Sequence, residues 1–392
     1  MKLLHLADVH VGASFRKLGA ERGKQLREAV LEALKRVMDL AQNENVDAVL
    51  ISGDLFDAPT ISADIIRRVM RMLEALKPTP VFICPGNHDH SGKGSLWERL
   101  LQSNLVPSNA VVFVETKVEC RKVKHGNLVI AGWACPDKDG IDHPLRQVME
   151  QLQIPQGDFL VALLHGSLRF GGVSEPDFPI ERDEIARSPF HYLALGHWHK
   201  WLTQRVDGKV AVYPGALEYL SFAPPDGKGK VALVEWDGKQ VKVTPKEIGA
   251  YEEVVWSMTA KDIKDIDGGA SAIIKRFPDA EHKLLTVRLW GIFEPEQLQK
   301  IHEWCSEGGE LAQAFFWVEL DDRQALQHMD WGELLRRYPA STFAGQLVRM
   351  AKERYDAASN EDEKRIWLEA AIYGLNRMQA MRGEGDGEQS GD

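Results

Sequence analysis

Aspartate and histidine recur along this 392-residue chain in short clusters whose spacing suits metal-assisted chemistry. The clusters are Asp8-Val9-His10, Gly53-Asp54-Leu55-Phe56-Asp57, Gly86-Asn87-His88-Asp89, His165-Gly166 and Gly196-His197-Trp198-His199. Carboxylate, imidazole and amide oxygen without thiolate suit manganese, iron or zinc, and the missing cysteines argue against a structural zinc cage. In an extended D-x-H or H-x-H the first and third side chains share a face, so both reach ions on one side. Trp198 then points away, into the core. Two cations about 3.5–4 Å apart can clamp a phosphate, activate a water and stabilise the leaving oxygen. Holding two ions that close needs a bridging carboxylate. Taken singly, each cluster has a structural reading: G-D-x-x-D is often a strand-to-loop turn, and H-W-H can be core aromatics. Five in order, each closing an apolar run, are not explained that way.

The elements that must position these residues alternate along the first 250 positions. Met1–Ala7, Asp47–Ser52, Pro80–Pro85, Phe159–Leu164 and Tyr192–Leu195 read as buried strands, and each runs into one of the clusters. Between the first two, Leu26, Val30, Ala33, Leu34, Val37, Leu40 and Ala41 recur at helical spacing. Strand, long helix and strand at this spacing make a βαβ unit, and hence a parallel pairing. In open α/β sheets functional groups collect beyond the carboxyl ends of strands, so the five clusters should meet in one crevice. Glycine beside the ligand in four of them permits close approach and sharp turns. Asn127–Ala134, Lys209–Tyr213, Lys230–Trp236 and Gln240–Thr244 read as strands of a second sheet packed on the first. The expectation is an α/β fold with two sheets and flanking helices, one domain over 1–250.

Around Tyr251 the character changes. Residues 251–335 read as a small α+β unit, with strands at Leu284–Gly291 and Phe315–Asp322 and a helix near Pro295–Glu307. Residues 336–381 read as helical. Asn360 and Glu363 resemble a capping box opening a helix whose Ile366, Trp367, Ala370, Ala371, Tyr373 and Leu375 form a broad apolar face. Residues 382–392 carry no apolar side chain and are expected to be disordered.

Charge is divided unevenly. Residues 1–250 hold 31 basic and 31 acidic groups, whereas 251–392 hold 17 and 27, which supplies the whole net charge of -10. A phosphate-facing surface therefore belongs to the neutral half, where divalent cations would add positive charge that a residue count misses. No run of about 18 apolar residues exists, so no membrane helix and no membrane partner are expected. A signal peptide is not expected either, because the first candidate ligand is already Asp8. Cys84, Cys120, Cys135 and Cys305 form no C-x-x-C pair and read as reduced thiols of a cytoplasmic protein.

The series D-x-H, G-D-x-x-D, G-N-H-D, H-G and G-H-x-H resembles the calcineurin-like metallophosphoesterase superfamily over residues 1 to about 220. That resemblance implies an α/β/β/α two-sheet sandwich and two divalent metal ions. It assigns Asp8, His10, Asp54 and His199 to one ion, and Asp54, Asn87, His165 and His197 to the other, with Asp54 the bridge. His88 matches the histidine that protonates the leaving group or stabilises the transition state, and Asp89 would orient it by hydrogen bonding. Leu4–Gly12, Gly53–Asp57 and Tyr213-Pro214-Gly215 through Ser221-Phe222 resemble more narrowly the DNA-repair exonuclease branch, SbcD-like or YhaO-like nuclease subunits. Asp57, a third candidate catalytic residue, stands where archaeal and eukaryotic members of that branch carry a second histidine, so that histidine's phosphate contact does not transfer.

The branch implies a manganese-dependent DNA exonuclease or endonuclease in DNA repair and recombination. It further implies a partner, an SbcC-like coiled-coil ATPase, and a possible homodimer. On that reading 251–335 is a capping domain and the helices after Ser341 dock the ATPase. Two rival readings are a phosphodiesterase for nucleotides or other small esters, and a non-catalytic adaptor for an ATPase or DNA ends. His5, His125, His143, His191, His282, His302 and His328 lie outside the clusters and read as ordinary core or surface residues. His90 sits where a loop at the mouth could bring it near substrate, and Arg16 and Lys17 could meet phosphates.

Overall fold

The computed structural model describes residues 1–123, 126–172, 177–220, 227–265 and 269–385. His125, Ser221, Phe222 and the expected tail beyond 385 lie outside them. The chain divides into two compact units, Met1–Glu253 and Val254–Asp392.

In chain order the first unit runs β1 (Lys2–Leu6), α1 (Gly19–Asn43), β2 (Ala48–Ser52), α2 (Ala63–Glu74), β3 (Val81–Cys84) and β4 (Ala110–Val112). There follow β5 (Lys117–Val123), β6 (Gly126–Gly132), β7 (Phe159–His165), β8 (Ser167–Leu168), β9 (Pro179–Ile180) and β10 (Tyr192–Gly196). The last strands are β11 (Leu202–Val206), β12 (Lys209–Tyr213), β13 (Lys230–Trp236) and β14 (Val241–Glu247). One six-stranded sheet has the order β14-β13-β1-β2-β3-β4 and the other β11-β12-β10-β7-β6-β5. Each has a run of four parallel strands: β1 to β4 in the first, reaching its edge, and β12-β10-β7-β6 in the middle of the second.

This corrects the sheet assignment expected from sequence. The five cluster-bearing strands do not share a sheet: β1, β2 and β3 belong to the first, β7 and β10 to the second. Lys230–Trp236 and Gln240–Thr244, expected in the second sheet, instead fall in β13 and β14, which extend the first beside β1. The physical reason is burial on both faces. A strand covered above and below is apolar at every position, so its sequence carries no sign of which sheet it joins, and the half-exposed edge strand β14 shows by alternation which face it buries but not which sheet carries it.

Strand parity sorts the two faces. Leu3, Leu50, Phe82, Phe159, Val161, Leu163, Val210 and Val234 meet between the sheets. The alternate residues of the second sheet, among them Ala162, Leu164, Leu193 and Leu195, pack on Leu145, Val148 and Ile185 of the helices Pro144–Gln151 and Arg182–Arg187. On the first sheet Leu4, Leu6, Val49 and Ile51 are equally sealed, and α1 buries Leu26, Val30, Ala33, Leu34, Val37 and Ala41, the stripe read from its periodicity except Leu40, which is half-buried. Helix, sheet, sheet, helix is the α/β/β/α sandwich. Near its end Glu218, 3% exposed, accepts from the amides of Tyr219, Ala250 and Tyr251 at 2.8–3.0 Å.

Glu252–Met258, which enters the second unit at Val254, forms a three-stranded sheet with Lys283–Phe293 and Trp317–Gln327, the last two strands parallel and joined through the helix Pro295–Cys305. Leu285, Val287, Leu289, Phe293, Ile301 and Trp304 form its core. Two helices close the chain, Phe343–Ala357 and Glu361–Gly385. Residues 382–385 are thus helical, not the opening of a tail. The single broad apolar face expected on this helix splits in two. Ala371, Ile372 and Leu375 are buried with Val348 and Ala351 of the preceding helix, whereas Ile366 and Tyr373, a turn or two apart on another stripe, are 57% and 47% exposed. No described helix is long and apolar enough to cross a membrane.

The helix Glu361–Gly385 opens as its sequence reads: Asn360 Oδ1 accepts from the Glu363 amide at 2.9 Å, and Glu363 reaches back to the Ser359 amide at 2.9 Å. Replacing Asn360 by Ala should cost the second unit about 1 kcal/mol, measured as a lowered transition in scanning calorimetry with the first unit's transition unmoved. An unshifted transition would mean that packing on Phe343–Ala357 alone sustains the helix.

Candidate metal centre

All five clusters lie at the carboxyl ends of their strands, and the facing of the sheets brings them to one end of the sandwich. Asp8, His10, Asp54 and His199 each offer a ligand atom, and these four atoms all lie within 4.8 Å of one another. His10 Nε2 stands 3.5 Å from Asp54 Oδ2 and 3.3 Å from His199 Nε2. On the other side of Asp54, His165 Nε2 lies 3.5 Å from the same Oδ2 and 3.0 Å from Asn87 Oδ1. The His165 and His197 rings are 5.1 Å apart. Asp54 Oδ2 is therefore the atom common to both halves, in keeping with a bridging carboxylate.

The backbone is not extended here as the D-x-H and H-x-H spacing led one to expect. Asp8 and His10 have φ of 49°, Asp54 50° and His197 104°. Such left-handed residues cost roughly 1–3 kcal/mol each and persist only where the surroundings fix them. The fixing is visible: Asp8 N donates to Gly53 O, His10 N to Asp54 O and Val11 N to Leu55 O at 2.9–3.2 Å. A further pair of amides aims at the carboxylates, His88 N at Asp54 Oδ1 and His197 N at Asp8 Oδ1, both at 2.9 Å. Glycine is required at two of the turns. A Cβ on Gly196 would lie 1.7 Å from Ser52 O, and one on Gly86 2.2 Å from Asp54 Oδ1.

The donors are oriented as lone pairs converging on shared space. His165 Nδ1 faces the carbonyl of Ser52 at 3.0 Å, an acceptor only, so this nitrogen carries the proton and Nε2 presents its lone pair to Asp54 and Asn87. His10 Nδ1 faces Asp57 Oδ1 at 3.0 Å, which by the same logic turns the lone pair of Nε2 toward Asp54. Asp8 Oδ2 and His197 Nε2 are buried without any hydrogen-bond partner. Buried oxygens and imidazole nitrogens facing one another need a cation between them. The residues fit divalent metal ions on this observation, with hard and borderline donors and no thiolate.

Charge states follow from burial. Desolvation holds His165 and His199 below the ordinary histidine range, and His197 down to about 3. Desolvation and then the charge of Asp54 push Asp8 well above the usual carboxylate range. Burial alone would raise Asp54 as well, but His165, His10 and His88 together with the His88 amide outweigh it and hold this carboxyl low.

The remaining candidates divide. His88 stands at the rim, its side chain 33% exposed, with Nδ1 3.0 Å from the Asp57 carbonyl oxygen and its ring 4.6 Å from that of His10. Asp89 does not orient it. Both Asp89 oxygens are taken by backbone amides, Oδ1 by Gly86 at 2.8 Å and Oδ2 by Phe56 at 3.2 Å. Asp89 is thus a buried fastener between the second and third clusters, raised to about 7 by burial and by Asp54. The orienting part belongs to Asp57, which touches His10 through its carboxylate and His88 through its carbonyl. His90 accepts from the Gly92 amide through Nδ1 at 3.3 Å. Trp198 packs against the core as expected. Sequence reasoning passed over Ser52 and His5. Ser52 sits unremarked before Gly53-Asp54, and His5, treated as an ordinary core residue, is fully buried with both ring nitrogens engaged, Nδ1 by Tyr192 Oη and Nε2 by Ser52 Oγ, each at 2.8 Å. Burial holds it down to about 3.

Residues 1–201 match the family described as calcineurin-like phosphoesterase, and with this fold and this donor set the chain belongs to that family of hydrolases, which use divalent metal ions. Among particular proteins it is 24% identical over 295 residues to the uncharacterized metallophosphoesterase YhaO of Bacillus subtilis, covering 72% of this chain and 68% of that one. It is 24% identical to the DNA double-strand break repair protein Mre11 of Sulfurisphaera tokodaii over 67% of each chain. It is 22% identical to the SbcD component of the SbcCD nuclease of Bacillus subtilis, covering 66% of this chain and 70% of that one.

Protonation gives a test of these charge states. His5, His165, His197 and His199 fold neutral, so the unfolded chain, with ordinary imidazoles near 6.5, binds more protons as pH falls. Stability is then lost from about 6.5 downward, continuing toward about 3 for His5 and His197. The raised carboxyls of Asp8 and Asp89 act oppositely, stabilising at low pH and fading as pH climbs, for Asp89 toward about 7. Four imidazoles outnumber two carboxyls. With chelator present, the denaturation midpoint should fall steadily as pH drops below about 6.5, and a flat or rising midpoint would show that the rings fold protonated.

Proposed function

We propose that this chain is a metal-dependent DNA nuclease, the nuclease subunit of a DNA repair complex, hydrolysing phosphodiester bonds at two divalent cations, manganese for preference. The observation that carries the reading is the convergence of donors from both sheets on Asp54, with the half-exposed His88 beside them. Asp8, His10, Asp54 and His199 would hold one ion, and Asp54, Asn87, His165 and His197 the other. Bound there, two cations would neutralise charge on the phosphoryl oxygens and supply a nucleophile from water at neutral pH.

The protein's own part lies in placement and proton transfer. Asp57 accepts from Nδ1 of His10 and of His88, which fixes both rings and leaves Nε2 of His88 as the nitrogen that meets substrate. His88 donates a proton to the departing sugar oxygen. The DNA substrate is supported by the relatives named for double-strand break repair and for the SbcCD nuclease. We take residues 251–335 as a capping domain over DNA. The exposed stripe of Ile366 and Tyr373 would receive an SbcC-like coiled-coil ATPase.

The deciding experiment is manganese-dependent digestion of linear DNA, closed circular DNA and a small chromogenic phosphodiester. Linear DNA alone should be degraded. His88→Ala should lower turnover by about 10²–10⁴-fold while metal content, read by atomic emission, stays intact. Asp54→Asn should lose metal and activity together. Cleavage of the small ester with DNA untouched, even with an ATPase partner added, would overturn the substrate, and equal metal loss in both variants would overturn the division of roles.

A further inference from the structure

Among the described residues the layer between the sheets is built of apolar side chains such as Leu3, Leu50, Phe82 and Val161, and a polar cluster stands within it behind the metal centre. His5 of β1 is 0% exposed and sits in a parity shared with Leu3, and Tyr192 opens the facing strand β10. His5 Nδ1 is 2.8 Å from the Tyr192 hydroxyl, and Nε2 is 2.8 Å from the Ser52 hydroxyl at the end of β2. The main chain of Ser52 also reaches across: its carbonyl accepts from His165 Nδ1 at 3.0 Å and packs so closely on Gly196 that no Cβ fits. Ser52 therefore engages β10 at both ends, at Tyr192 through His5 and at Gly196 directly, and it engages β7 at His165. The next residues after Gly196 include His197 and His199.

We propose that Tyr192, His5 and Ser52 form a positioning latch between the two sheets, which fixes the register and the His165 tautomer on which the shared metal site depends. This rests on the metal-binding reading of the site. Leucine and phenylalanine would fill the same volume without burying three polar groups, and such replacements of buried polar clusters are often neutral or stabilising. Apolar contacts, however, are non-directional and let packed strands slide, whereas two hydrogen bonds at 2.8 Å on one ring fix both sheets to the same atoms. The donor set needs that direction, because Asp8, His10, Asp54 and Asn87 come from the first sheet and His165, His197 and His199 from the second. These are positioning residues, acting through His165 and Ser52 without touching substrate.

The test is cobalt(II) binding to the full chain, followed by titration calorimetry and by the visible absorption of the bound ion, with melting of the metal-free protein in parallel. The double variant H5L/Y192F should stay folded, bind cobalt about 10–100-fold more weakly and show an altered visible band. Ser52→Ala, which keeps the carbonyl and loses only the hydroxyl, should weaken binding in the same direction, and Ser52→Thr should restore it. Wild-type affinity and spectrum in H5L/Y192F, or in Ser52→Ala should the double variant fail to fold, would reduce the cluster to a structural role and overturn the latch. A wild-type chain that takes up no cation would instead sink the metal-site reading on which the latch rests.

Discussion

Carboxylates and neutral imidazoles share a volume from which water is excluded, and much of the first unit is arranged to tolerate it. Asp8 and Asp54 repel each other while buried at 0% and 1% exposure, and the compensations are local. Backbone amides of His88 and His197 point at their oxygens, and rings held neutral by burial surround them. Where metal ions bind, those same repulsions become ligation. The left-handed backbone at four of the seven candidate ligands belongs to the same account, since strain at a functional site is stored only where the scaffold is rigid enough to hold it.

That rigidity comes from two parallel-centred sheets pressed face to face. Each sheet alone would present half a site. β1, β2 and β3 deliver carboxylates, one imidazole and an amide, and β7 and β10 deliver three imidazoles. Glycines at 53 and 196 let the two halves approach to distances that any side chain would forbid.

Much of this was legible in the sequence, and the failures are instructive. The ligand clusters stood out because polar residues and glycine interrupt apolar runs at a fixed place, the carboxyl end of each strand. The stripe of α1 and the opening of the last helix at Asn360 were equally plain, since 3.6-residue periodicity and capping are local signals. What sequence could not tell was which strands share a sheet, because the alternation that would reveal a face is absent from strands buried on both. Asp89 was misread because its motif neighbour His88 is adjacent in sequence, whereas its carboxylate turns inward to two amides. The apolar face of the last helix was drawn too wide, since Ile366 and Tyr373 lie on a stripe that its neighbour helix does not cover. His5 looked like filler because its partners are 47 and 187 residues away.

Glu218 has a mechanical meaning. The edge strand β14 pairs antiparallel with β13 only, and a pull on its carboxyl end would open that ladder one rung at a time, the weakest direction in which a sheet can be loaded. Glu218 takes the amides of Ala250 and Tyr251 just beyond that end. A tug arriving along the chain from residue 252 onward meets this carboxylate first, and its two bonds to those amides must give way before the strand feels any load. The buried acid works as a strain relief, of the kind fitted where a cable enters its housing, for the sheet that carries Asp8 and His10.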